Sequence, residues 1–531
     1  MSCRARGELA LLLGLVLTAA AAKFAYSPML GSRSTDGNYY FQIARHVSQG
    51  EGFKTSVSLY HQGLKPLPHA ATVYPLWPAL LGTAGRLFGL RRVAELLPEA
   101  LFLLDLVLLY FVTRRLEHRL EVPAALRIGG LDIRFAHLVT CLFGSNWIFF
   151  HYTSLPYTEA LAFALCFGVL LATDRALGAD TRRSELLWSA AAGALCGLAY
   201  LTRSQLLGFV AVPLAGLALG RAPGTRGRCL LACGLAAALG IVFEAALLYD
   251  AVGTVTPQIM IDFAAFRQTP ELEPFRWLVE TPNTLSWVID RLRGVAVAFD
   301  SNSQNSYVSS FSIAAYLPPL ALLVALTWSR PARQHVARLP REARALLLAL
   351  LVAGAVSIAP VHAAHASFFQ EWLFGYRHGL GFIFLIVAAL AVLGVDQRRS
   401  LRLASMVIVV LAAASSAAKT HDNARRQQPD LSTRAEQQLA QWLNAQSPPV
   451  VVLTTRAQQL SLWTDVGIHW MWCQDSAAQM QKLFEHLPID YLVVYPVDSP
   501  CPALSSVSSH LRAVQSFGEP DERIEVLRWT N

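Results

Sequence analysis

The sequence predicts an all-α polytopic membrane protein of about eleven transmembrane helices, with interfacial helices in an outer loop and a small C-terminal α/β domain. Two observations carry this. Of 531 residues, 54% are hydrophobic and only 15% are charged, whereas a soluble domain carries about 25% charged residues. The apolar residues also gather in runs near the roughly 20 residues that a helix needs to cross the hydrocarbon layer. The same figures exclude disorder, collagen-like repeats and a disulfide scaffold.

The runs fall at 9–27, 94–113, 135–150, 159–174, 186–201, 205–220, 229–249, 309–328, 345–361, 379–395 and 403–418. The shorter ones are read as tilted, re-entrant or shielded by neighbours. Positive charge orients them. With a cytoplasmic N-terminus, the inner loops 1–8, 114–134, 174–185, 221–228, 329–344 and 396–402 hold 21 Arg. The short outer loops 151–158, 202–204 and 362–378 hold only Arg203 and Arg377. The net charge of +8 is thus mostly a topology signal and implies no nucleic-acid partner. Residues 1–22 also admit a cleaved signal peptide, with Arg4, Arg6, an apolar core and the run Ala19–Ala22. Cleavage leaves the sidedness of everything after it unchanged.

Two long segments remain outside, 28–93 and 251–308, together with the tail 419–531. In the tail, helix-like stretches (432–446, 475–487) alternate with the β-rich runs PVVVLT at 449–454 and DYLVVYP at 490–496. The eight cysteines form no CxxC pair. Most lie in spans, where Cys is a small hydrophobe; Cys473 and Cys501 share the tail and can pair in an oxidising compartment. The chain has no zinc-like spacing, Walker loop or GxGxxG preceding a helix. Gly193 and Gly197 make a GxxxG, read as helix packing.

The first outer loop is the most informative stretch: RSTDGNYYFQIARHVSQGEGF at 33–53, then HAATVYPLWPALLGTAGRLFG at 69–89. Asp36 precedes an amphipathic helix in which Tyr40, Ile43, Ala44 and Val47 share a face, ending at Gly50 and Gly52. From Tyr74 to Leu87 a second apolar stretch, started by Pro75 and Pro78, is too short to cross. It is read as lying in the interface, with Tyr74 and Trp77 at headgroup level. Asp36 is either a catalytic carboxylate at the outer surface or the N-cap of its helix. At the next outer turn, HYTSLPYTEALAFALCF (151–167) puts Glu159 in the first turn of a span, where the macrodipole favours an acid. A carboxylate at the edge of the hydrocarbon is nonetheless costly. Two carboxylates at one depth suit acid–base work on a sugar hydroxyl. Arg203, in GLAYLTRSQLLGF, and Arg377, beside His378, are interfacial anchors or ligands for a lipid-linked phosphate. His362 and His365, spaced i,i+3 with Glu371 nearby, make at most half of a divalent-metal site. No cofactor is required.

Together these stretches resemble the membrane-embedded GT-C glycosyltransferases that use polyprenyl-phosphate sugars, in particular the family 39-like branch of protein O-mannosyltransferases and lipid A aminoarabinose transferases. The match runs from the first span to about residue 395. It is most specific in TDGNYYFQIARHVSQGEGF and the YPLWPALLGTAGRLFG block; PYTEALAF, GLAYLTRSQ and the late Arg377–His378 follow in order. The resemblance implies that Asp36 is the catalytic base, that Glu159 is a second outer-loop acid and that Arg203 lies near the carrier phosphate. It divides the chain into a GT-C transmembrane catalytic domain, 1–418, and an external, periplasmic domain, 419–531. One departure is clear. Members commonly carry Asp-Glu where this chain has Asp36-Gly37, so a metal or acceptor role for that second carboxylate is missing.

The function expected is transfer of a sugar, hexosyl or pentosyl, from a polyprenyl-phosphate carrier to an acceptor hydroxyl at the outer face of a bacterial inner membrane. Asp36 takes the acceptor proton, and Arg203, Arg377 and His378 hold the departing phosphate. Tyr39, Tyr40, Tyr74 and Trp77 stack on the sugar, pack the prenyl chain or anchor in lipid. The partners are the lipid-linked donor, a glycan, lipid or protein acceptor, and membrane lipids. The alternative is a transporter or flippase for a lipid-linked glycan precursor, which ought to show midplane charges and inverted repeats. A scaffold reading is disfavoured, since eleven spans exceed what anchoring needs.

Overall fold

A computed structural model describes residues 3–26, 35–58, 66–71, 73–128, 131–252, 334, 336–363, 381–395, 399–426, 432–471, 477–495, 501–520 and 523–530. The expected span at 309–328 and most of the loop 251–308 lie outside these residues. The helices are α1 (Cys3–Tyr26), α2 (Thr35–Gln49), α3 (Leu76–Phe88), α4 (Leu90–Arg119), α5 (Phe135–Gly144), α6 (Trp147–Tyr152), α7 (Glu159–Leu177), α8 (Arg182–Thr202), α9 (Ala211–Gly220), α10 (Pro223–Val252), α11 (Arg341–Ala363), α12 (Phe382–Val395) and α13 (Arg399–Arg426). Among the described residues, six stretches are long and apolar enough to cross a membrane: Arg6–Ala25, Leu90–Arg119, Glu159–Leu177, Arg182–Thr202, Pro223–Asp250 and Ser400–Ala418. Shorter apolar helices cover Phe135–Gly144, Leu206–Gly220 and Ile383–Gly394. The chain is a multi-pass membrane protein.

Two expected spans are broken. The run 135–150 stops at Gly144 and restarts at Trp147, because the Asn146 side chain accepts the Phe149 N–H and caps a new helix. The run 205–220 begins as a 3-10 helix, Ser204–Val210, before α9.

At the centre, α7 packs on α4, α8 and α9, and its aromatic residues meet those of neighbouring helices. Phe143, Phe149, Phe163, Phe167, Phe209 and Phe384 form one tilted and edge-to-face cluster. The GxxxG packs α8 against α10, as expected. A Cβ on Gly193 would run into the Cys233 carbonyl, and one on Gly240 would lie 2.7 Å from the Gly197 Cα. Gly193→Leu is therefore expected to cost about 1–3 kcal/mol of stability by overpacking, read as a lowered melting temperature in detergent.

Many of the arginines that signal topology also tie helix ends together. Arg119 pairs with Asp174 (2.8 Å) and Arg221 with Glu185 (2.8 Å), while Arg127 pairs with Asp132 (2.7 Å) across two short paired strands that follow α4. Glu8 of α1 receives both Arg114 (3.1 Å) and Arg134 (2.9 Å). α1 is thus stitched into the bundle at this end, while Leu9, Leu13 and Leu17 stay exposed along one row.

Beyond the spans, α13 runs through residue 418 to Arg426, so the expected boundary falls inside a helix. The tail then carries α14 (Ser432–Asn444), β6 (Val451–Thr454), α15 (Ala457–Leu460), β7 (Gly467–Trp470), α16 (Ala477–His486), β8 (Tyr491–Val494), α17 (Pro502–Ser506), β9 (Leu511–Phe517) and β10 (Ile524–Trp529). The first loop contributes β1 (Lys54–Thr55), β2 (Val57–Ser58) and β3 (His69–Ala70), and β4 (Leu126–Ile128) pairs with β5 (Leu131–Ile133). The sheet order is β2-β7-β6-β8-β10-β9, parallel from β2 to β8 and antiparallel beyond. Its edge strand β2 comes from the first loop, about 400 residues earlier, with Val57 opposite Ile468. Alternation along β6 sends Val452 into a core shared with α2 and α3, and Leu453 into a second core with Met480 and Leu483. The sheet and the first loop therefore fold against one another. Cys501 is buried with a free thiol, whereas Cys473 lies outside the described residues.

Candidate active site

Asp36 lies in the first turn of α2, which begins one residue earlier at Thr35, and is half-buried. The helix ends where expected, with Gly50 and Gly52 at φ of +82° and +88°, conformations that suit glycine. Its burial corrects the amphipathic expectation. Tyr40, Ile43 and Ala44 are buried, but so are Asn38, Tyr39, Phe41 and Gln42 on the other faces. The reason is that α2 is sandwiched. On one side α3 approaches so closely that a Cβ on Gly82 would lie 2.6 Å from the Ala44 carbonyl oxygen.

On the other side the tail closes over α2. Arg45 donates to the carbonyls of Leu462 (3.0 Å) and Thr464 (3.1 Å) and pairs with Asp465. Gln42 bridges the Thr55 hydroxyl (2.7 Å) and the Ser56 N–H (3.0 Å), leading directly into β2. Arg45→Met is expected to lower stability by about 1–3 kcal/mol, the scale of a lost charged hydrogen-bond set. Limited proteolysis should then release the tail sooner than in wild type.

Trp77 is a second correction. The sequence places it at headgroup level, but it is fully buried, and its indole N–H donates to the Pro156 carbonyl (2.6 Å). A buried indole needs such an acceptor. Tyr74 is half-buried. Through Trp77, α3 holds the turn that leads into α7.

That turn delivers Glu159 to the first residue of α7, as expected, but not as an isolated carboxylate. Glu159 is buried and ion-paired with Arg203 at the C-terminal end of α8; Arg203 also donates to Thr158 Oγ1 (3.3 Å). The two residues singled out separately from the sequence form one unit. Nearby His151, at the end of α6, has its imidazole pushed down to about 4, chiefly by burial and then by the Lys23 charge. With a folded-state value below the ordinary 6.5, the unfolded chain binds the extra proton first. Stability that is full above pH 6.5 should fall as the pH approaches 4, and His151→Gln should flatten that acid-side decline in a melting-temperature series.

Arg377, His378, His365 and Glu371 lie outside the described residues, as does the side chain of His362. Sequence reading missed Lys23, which is 3% exposed and faces the same turn. Its signal was its rarity: one of five Lys among 44 basic residues, near the end of an apolar run.

No family model matches the chain, and no curated protein sequence matches it. Among solved structures, the apo oligosaccharyltransferase of Archaeoglobus fulgidus aligns over 97% of this chain and 74% of its own, with a TM-score of 0.57 and 12% identity. The same archaeal enzyme, AglB, in complex with an inhibitory peptide and a dolichol-phosphate, gives 0.56 at 12% identity. The chain has a GT-C fold. ArnT from Cupriavidus metallidurans, bound to undecaprenyl phosphate, aligns over 98% of both chains with a TM-score of 0.46 and 14% identity.

The archaeal enzyme has also been solved with zinc and sulfate. Among the described residues of this chain, no three His, Cys, Asp or Glu side chains gather in a way that could hold a metal ion. With Gly37 beside Asp36, that position offers a single carboxylate.

Proposed function

We propose that the chain is a membrane glycosyltransferase that moves a sugar from a polyprenyl-phosphate carrier to an acceptor hydroxyl at the outer face of a bacterial inner membrane. The observation that carries this is the GT-C likeness over 97% of the chain, to an enzyme solved with a dolichol-phosphate. The clustering of Glu159, Arg203 and Trp77 around one turn supports it. The Arg bias of the loops supports an N-terminus on the cytoplasmic side and the site on the other.

In this reading a prenyl-phosphate donor keeps its tail in lipid and its sugar at the surface. The Asp36 carboxylate takes the acceptor proton as that oxygen attacks the anomeric carbon. The bond from the anomeric carbon to the phosphate oxygen breaks, with inversion, and the polyprenyl phosphate leaves with the electron pair. Arg203 offsets the charge growing on that phosphate, with Arg377 and His378 as further ligands. Glu159 aims Arg203 as the second acid of the site. Tyr74 lines the approach for sugar or prenyl chain, while Tyr39, Tyr40 and Trp77 act from within the packing that holds α2 and α3. The test is donor turnover: the purified protein in proteoliposomes should release free polyprenyl phosphate from a polyprenyl-phosphate sugar only when an acceptor extract is present.

A further inference from the structure

We propose that Lys23 is a positioning residue for the Glu159–Arg203 pair, acting through the Thr153–Thr158 turn. Its consequence for donor binding rests on the glycosyltransferase reading; its geometry does not.

Lys23 stands three residues before the end of α1, and its ammonium is used fully. It donates to the Phe150 carbonyl (2.6 Å), to Thr153 Oγ1 (3.0 Å) and to Ser154 Oγ (2.5 Å). Glu99 of α4 lies 3.6 Å away as counter-charge. The rings of Phe102 and Phe150 lie 4.4 and 4.5 Å from the nitrogen. Thr153 and Ser154 pass their own protons on to the carbonyls of Phe149 (2.6 Å) and Phe150 (2.7 Å). Lys23 therefore gathers the end of α6 and the start of the turn around one charge.

The remainder of the turn is what the candidate site uses. Two residues past Ser154, the Pro156 carbonyl receives Trp77. Two residues further, Thr158 and Glu159 receive Arg203. A six-residue turn fastened at one end by Lys23 and at the other by Trp77 and Arg203 has little freedom to displace the carboxylate. A buried ammonium is costly to desolvate, and this one spends its donors on the end of α6 and the start of the turn. What this sets is the placement of the acid–guanidinium pair, carried by a turn that begins 130 residues away in sequence.

The experiment uses the full chain in nanodiscs, with undecaprenyl phosphate as the binding probe and hydrogen exchange as a second readout. Lys23→Met should speed exchange across 150–159 while leaving the tail sheet unchanged, and should weaken probe binding by roughly tenfold, the equivalent of one charged hydrogen bond. Lys23→Arg should restore much of both, and Glu99→Gln should give a milder form of the loss. In an Arg203→Met background, Lys23→Met should weaken binding no further, since it acts through that pair. Unchanged exchange at 150–159, or losses that simply add in the double variant, would overturn the proposal. If wild type and Arg203→Met bind the probe equally, the donor-phosphate reading falls instead. Exchange at 150–159 then decides the role of Lys23 by itself, with unchanged exchange counting against it.

Discussion

Asp36→Asn is expected to reduce sugar transfer by about 10²–10⁴-fold, the usual contribution of a positioned general base, with insertion and melting temperature unchanged. The substitution keeps the size of the side chain and removes its charge and its ability to accept a proton. Any cost to the helix is small, because a first-turn acid is worth only about 0.3–1 kcal/mol to the dipole. The packing that holds α2 is made by Tyr39, Tyr40, Ile43 and Arg45, none of which is touched. The kinetic signature should be a fall in kcat with donor KM held, since a base acts in the transition state and not in ground-state binding. Full activity in Asp36→Asn would remove Asp36 from the mechanism.

The second large effect separates structure from chemistry at the Glu159–Arg203 pair. Arg203→Met removes the guanidinium from a buried carboxylate and should destabilise the protein by about 3–5 kcal/mol, the scale seen when one member of a buried pair is lost. Transfer should fall with it. Arg203→Met combined with Glu159→Leu takes the stranded charge away, so the melting temperature should recover most of the loss. Transfer should not recover, because Arg203 also serves the departing phosphate. Recovery of both would make the pair purely architectural; thermal melts and donor turnover on the same preparations check it.

Much of the fold was legible because apolar period and length dictate spans, and because arginine placement is set by topology. The start of α7 at Glu159 and the helix α3 after Pro75 follow from local chemistry. Asn146 held a signal for the break in the run 135–150, being a favoured N-cap inside an apolar stretch. What was hidden is whatever depends on distant pairing. Arg203 meets Glu159 across 44 residues and Arg45 meets Asp465 across 420. Neither separation leaves a mark in a local window. The strand β2 is two residues long and carries no alternating pattern to find. The sandwiching of α2 buries Gln42 and Asn38 beside its apolar face, so one-sided amphipathicity was the wrong guide there. For the same reason the tail is part of the seat of α2, the helix that carries Asp36, and deleting 419–531 should abolish activity rather than spare it.

The most direct measurement supplies a radiolabelled polyprenyl-phosphate sugar to both leaflets of proteoliposomes that hold the full chain, and follows the carrier and the sugar separately. With acceptor present, the wild type should convert the donor to free polyprenyl phosphate with the label appearing on the acceptor, and Asp36→Asn should do neither. Donor that moves between leaflets while the sugar stays on its carrier would contradict glycosyl transfer and make the protein a transporter.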